Sequence, residues 1–175
     1  AFPDRVAALV LASTPGPGWH LRPRHRVYTR APWLFGPLFL AESPWRLRAE
    51  LRAALPRAAV RRRFMRWQLG CLWRAPVSPS RMAARARLIG AVEGTDDCAR
   101  VTAPTLVVTG EPGLDHVVPV GGSEMYARLI HGARAAVLEG TGHLGSVTHA
   151  EAFARLVREF VARHGRASLP RPEVA

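Results

Sequence analysis

The sequence has no lysine, no asparagine, only two cysteines and no long uninterrupted apolar run. With lysine absent, all 25 basic residues are arginine. Lysine and asparagine codons are A-rich and most arginine codons are G/C-rich, so a high-GC genome produces this pattern without selection for binding. Cys71 and Cys98 form no C-x-x-C and adjoin no histidine cluster. That argues against a disulfide framework or a structural zinc, and for a reducing cytoplasm. No stretch reaches the ~18 consecutive apolar residues of a membrane-spanning helix, and no charged-then-apolar leader opens the chain. The first residue is Ala1, followed directly by the near-apolar FPDRVAALVLAST, which reads as the interior of a longer protein.

What is present suits one globular domain: 175 residues, 48% of them hydrophobic. The formal charge of +12 invites a nucleic-acid reading, but it is unevenly spread. Residues 1–100 hold 18 arginines against 6 acids, and residues 101–175 hold 7 against 7. Phosphate binding usually couples a basic cluster to a recognisable module, and none occurs here. The surplus is therefore expected to be a solvated helical surface, with no nucleic-acid partner.

Three short apolar runs predict buried strands: Arg5–Ala12, Thr105–Thr109 and Ala135–Leu138. Each is near-continuously apolar, the pattern of parallel strands covered on both faces. A helix is expected over Gly122–His131, with Met125, Leu129 and Ile130 at helical spacing. A second, amphipathic helix is expected over Ala150–Ala162, where Phe153, Leu156, Val157, Phe160 and Val161 share a face. The order strand, long insert, strand, helix, strand, helix predicts an α/β fold with a parallel sheet. The insert, residues 15–103, opens with TPGPGWHLRP and YTRAPWLFGP, rich in turn formers and tryptophan. Three helical patterns follow near Trp45–Leu55, Arg57–Trp73 and Pro79–Val92, broken by Pro56 and by Pro76 and Pro79. On the middle one Val60, Phe64, Trp67 and Cys71 share a face. An excursion of this length between neighbouring strands predicts a helical lid, with the five tryptophans packing it and one or two lining an apolar pocket. Residues 166–175 are expected to form a disordered tail.

Two loops follow predicted strands, where open parallel sheets bind ligands. In GEPGLDHVVP, Asp115 follows TLVVT; in LEGTGHLG, His143 follows AAVL. An aspartate earlier in the chain and a glycine-flanked histidine later fit the last two members of a Ser…Asp…His order. The carboxylate would fix the imidazole tautomer, and the imidazole would act as general base and then general acid.

The segment APTLVVTGEPGLDHVVP resembles the strand and acid loop of the α/β-hydrolase family, in which Asp is followed four positions on by Pro, as at Asp115 and Pro119. It departs by two residues between Gly110 and Asp115, with Pro112–Gly113 as the extra turn. LEGTGHLGSVTHAEAFARLVREFV is similar to the family's closing Gly-x-Gly-His, loop and last helix, and FPDRVAALVLAST to the entry into its sixth strand. The likeness covers residues 1–14 and 101–164. It implies a partial α/β-hydrolase sheet, with parallel strands equivalent to the sixth, seventh and eighth, interrupted by a helical lid. The core portion would be residues 1–14 and 104–165.

The family's nucleophile lies in G-x-S-x-G, and no such pentapeptide occurs here; the nearest is Gly121–Met125 (GGSEM). Ser123 also falls between Asp115 and His143, at an expected helix start, and is read as a cap. The resemblance thus implies the C-terminal part of a hydrolase that cleaves an ester or related bond in a small, apolar substrate, without metal or cofactor. Asp115 and His143 would be catalytic, and the N-terminal half would supply a serine, or an aspartate in epoxide or haloalkane chemistry. By itself the chain is expected to be inactive. Two other readings remain at this point: an Arg-rich non-catalytic binding module, and an inert remnant of a truncated hydrolase gene.

Overall fold

The structure is a computed structural model that describes residues 5–92 and 94–164. The expected tail, residues 166–175, lies outside the described residues. The centre of the fold is β2, Thr105–Thr109, whose TLVVT side chains are all buried. β1, Leu9–Ala12, and β3, Arg134–Val137, pair with it in parallel on either side, in the order β1-β2-β3. The register sets Val10 beside Leu106 and Ala136 beside Val108.

Only the central strand meets the expectation of burial on both faces. β1 is shorter than predicted and half-buried, while β3 lies one residue earlier than predicted and is largely exposed. The reason is position. Each outer strand has one neighbour among the described residues, so an apolar run there is covered only on the side that has one.

The last helix, α10 (Ala150–His164), closes one face of the sheet. Its Phe160 enters a core with Leu106, Val108 and Leu138, and Phe153 and Leu156 pack against that core. Val161, expected on the same face, is exposed. The preceding helix, α8 (Val120–Leu129), begins two residues before the predicted start, with Pro119 at its N-cap.

Between β1 and β2 the chain makes a long helical excursion. It comprises α1 (Pro23–Arg30), α2 (Pro32–Ala41), α3 (Ser43–Arg46), α4 (Arg48–Ala54), α5 (Ala58–Arg74), α6 (Pro79–Ala91) and α7 (Thr95–Ala99). The last three helical patterns of the sequence are present, but α1 and α2 fall in segments read as turns. Their prolines are the reason for the misreading and also for the helices: Pro23 and Pro32 sit in the first turn, where a missing N–H costs nothing. α1, α2 and α6 pack on one another, and Arg87 of α6 donates to the Thr29 carbonyl at 2.8 Å.

Four of the five tryptophans are not packed in the excursion as expected, while Trp19 is half-buried and, with Trp45, lines the apolar cavity. Trp33, Trp45, Trp67 and Trp73 are exposed, the last to 90%. Val60 and Trp67, two of the four residues expected to share a packing face on α5, are exposed as well.

Candidate active site

The site forms where the loops after β2 and β3 meet, and backbone contact sets its shape. The Glu111 N–H donates to the Thr141 carbonyl at 2.8 Å, and the Glu111 carboxylate accepts from the Gly140 N–H at 2.6 Å. Two glycines make so close an approach possible. A Cβ on Gly142 would lie 2.6 Å from the Leu114 carbonyl oxygen, and one on Gly110 would lie 2.5 Å from the Gly142 backbone. Distances of that kind exclude any side chain, which explains glycine at both positions.

Asp115 is buried on a tight turn of its own making. Its Oδ1 accepts the N–H of Val117 at 2.9 Å and of Val118 at 2.8 Å. That leaves Oδ2 directed at the imidazole of His143, with Nδ1 3.6 Å away. Burial works against ionisation of the carboxyl, but the neighbouring His143 and the Val118 and Val117 amides outweigh it and hold the group below its ordinary value of 3.8. At 3.6 Å the pair is within ion-pair range and just beyond a hydrogen bond; Nδ1 is buried and has no hydrogen-bond partner among the described residues. Resting catalytic sites commonly hold such contacts long and tighten them when substrate binds.

The structure therefore brings together the two residues singled out in the sequence. It also adds one that was not: Glu50, on α4, which is fully buried. Its Oε1 accepts the N–H of Gly142 at 2.9 Å and of Leu144 at 2.5 Å. Among the described residues Oε2 has no hydrogen-bond partner, and it is buried. Burial raises its pKa above the ordinary 4.5, with the nearby Asp115 charge adding to the effect; the two amides and His143 oppose it only partly. One signal was available. Glu50 is the sole acid of Trp45–Leu55 and shares a helical face with Leu47, Leu51 and Ala54.

Ser123 is not the cap it was expected to be. It lies inside α8, buried, and its hydroxyl donates to the Thr14 carbonyl at 2.6 Å. Tyr126 adds a second tether, donating to the Pro15 carbonyl at 2.9 Å. Together they fasten the chain leaving β1 to α8.

The imidazole of His143 opens onto a cavity of about 960 Å³ beneath α1, α2 and α6. Its wall is largely apolar and aromatic, including Phe39, Met82 and the stacked pair Tyr28 and Phe35, whose rings lie 5.1 Å apart. Arg24 and Arg46 on the same wall both pair with Glu42. His25 beside them has its pKa lowered, first by burial and then by Arg46, Arg22 and Arg24. Among the described residues no group of three His, Cys, Asp or Glu side chains is placed to hold a metal ion.

A parallel sheet with an aspartate and a histidine paired at its carboxyl edge, beneath a helical cover, defines a class of fold. Comparison with solved structures makes it specific. The chain is similar to a thermophilic esterase from Thermogutta terrifontis, at 25% identity and a TM-score of 0.69, over 93% of this chain and 58% of the esterase. It is similar to a hydrolase from Pseudomonas aeruginosa at 26% identity and a TM-score of 0.63, over 91% of this chain and 57% of the other. A bromoperoxidase from Bacillus anthracis matches at 20% identity and a TM-score of 0.67, over 90% and 59%. The chain thus spans under two thirds of the length of the structures it matches. No protein-family model and no curated protein matches the sequence. The fold is that of a partial α/β-hydrolase: its C-terminal strands and closing helix, with a helical insertion.

Proposed function

We propose that this chain contributes the acid, the general base and the lid of a serine-type hydrolase acting on esters or related bonds of small, mainly apolar molecules. The observation that carries the reading is the geometry of Asp115. Two backbone amides hold one carboxylate oxygen, and the other faces Nδ1 of a histidine that opens onto an apolar cavity. In that role Asp115 keeps the proton of His143 on Nδ1. Nε2 then takes the proton of the attacking hydroxyl and passes it to the leaving group as the acyl-enzyme forms. Cleavage of the acyl-enzyme by water repeats the transfer in reverse. Residues 15–103 form the lid in this reading, and the nucleophile comes from the part of the fold that the matched structures possess and this chain does not span.

The test is complementation. The chain by itself should give no turnover of p-nitrophenyl esters above buffer. Combined with a nucleophile-bearing N-terminal half, it should hydrolyse them, and His143→Ala should then lower kcat by several orders of magnitude. A loss of less than about tenfold would move the base to another residue.

A further inference from the structure

Glu50 takes no part in the proton transfers of the proposed reaction and does not line the cavity. It is nevertheless placed against the catalytic loop at high cost. The side chain is fully buried and one of its two carboxylate oxygens has no partner among the described residues. A buried acceptor without a donor is destabilising. What the carboxylate provides is its other oxygen. Oε1 receives the amides of Gly142 and Leu144, the residues on either side of His143, across 92 and 94 positions of sequence.

We infer that Glu50 is a positioning residue for His143, a clamp by which lid helix α4 holds the backbone around the imidazole. The two N–H groups converging on one oxygen belong to the Thr141–Gly142 and His143–Leu144 peptides, so the backbone that carries the imidazole is held on both sides of His143. Because the clamp comes from the lid, α4 cannot lift from the sheet without releasing the loop. The inference rests on the reading of His143 as the base.

Glu50→Met keeps the length of the side chain and removes the acceptor; Glu50→Gln keeps the acceptor and removes the charge. Deuterium exchange followed by mass spectrometry should show amides in a peptide spanning residues 139–148 exchanging about tenfold faster in Glu50→Met than in wild type. A peptide spanning 104–109, across β2, should be unchanged. Glu50→Gln should stay close to wild type in both. Carbethoxylation of His143 by diethylpyrocarbonate should be several-fold faster in Glu50→Met, with His20 unaffected. Equal acceleration of both peptides would reduce Glu50 to a global stabiliser. Unchanged exchange at 139–148, or equal loss in the Gln and Met variants, would overturn the clamp. None of these readouts needs turnover, so a failed complementation assay would sink the hydrolase reading while leaving the clamp testable.

Discussion

Asp115 and Glu50 are two buried carboxylates with opposite electrostatic consequences. The pKa of Asp115 is depressed in the fold, so its charge contributes stability that is present above its ordinary value of 3.8 and lost as pH falls through the lower, folded value. The pKa of Glu50 is raised. Relative to high pH it contributes stability that is complete below 4.5 and lost as pH rises through its folded value. Two melting experiments follow. Asp115→Asn should lower Tm at pH 7, with the gap narrowing as pH falls below about 4. Glu50→Gln should raise Tm at pH 7, with the gain disappearing as pH approaches 4.5. A fall in Tm in both variants at neutral pH would mean that Glu50 stabilises as an ion. In a complemented enzyme Asp115→Asn should also lower kcat about 10⁴-fold, because a neutral amide no longer enforces the tautomer.

Among the elements, α10 and α5 are the extremes. α10 places Phe160 in the core against both β2 and the end of β3. Phe160→Ala should cost about 3–5 kcal/mol in urea denaturation, the usual result of emptying an aromatic site. α5 has 17 residues and buries none of them, and it carries five arginines and no acid. Trp73→Ser should therefore change stability by no more than about 0.5 kcal/mol. A larger loss would show that the exposed face of α5 is covered in solution. The same contrast explains which helices were legible. α10 repeats its apolar residues at a helical period over a long stretch. α1 and α2 are short, begin at prolines and include Pro37 inside α2, so composition pointed to turns while packing on α6 made helices.

For the whole molecule, the exposed surface matters most. β1 is paired on one side only among the described residues, and Val6, Leu34, Leu69, Leu88 and four tryptophans are exposed. Open strand edges and uncovered apolar surface drive association. Light scattering after size exclusion should show self-association, and a hydrophobic dye should bind; a monomer that unfolds cooperatively would contradict this. The arginine surplus predicts a different outcome. Oligonucleotides should bind weakly, with affinity collapsing as salt rises. A sub-micromolar, sequence-preferring complex at physiological salt would favour the Arg-rich binding module instead.

Much of the architecture was written locally. TLVVT is a buried strand because five apolar or β-branched residues in a row suit no other central position. Asp115 and His143 could be picked out because glycine-rich loops after such strands carry a recognisable pattern. What local pattern could not contain were the relations between distant residues. That β1 and β3 would be half-open depends on what stands beside them. That Ser123 would tether Thr14 rather than cap a helix depends on a contact across 109 positions. Glu50 is the clearest case. In sequence it is one acid among arginines, and only the folding of α4 onto the loop after β3 turns it into the acceptor for the amides on both sides of His143. Periodicity and turn chemistry act over a few residues and are legible there; a hydrogen bond across 92 positions exists only once the chain has closed on itself.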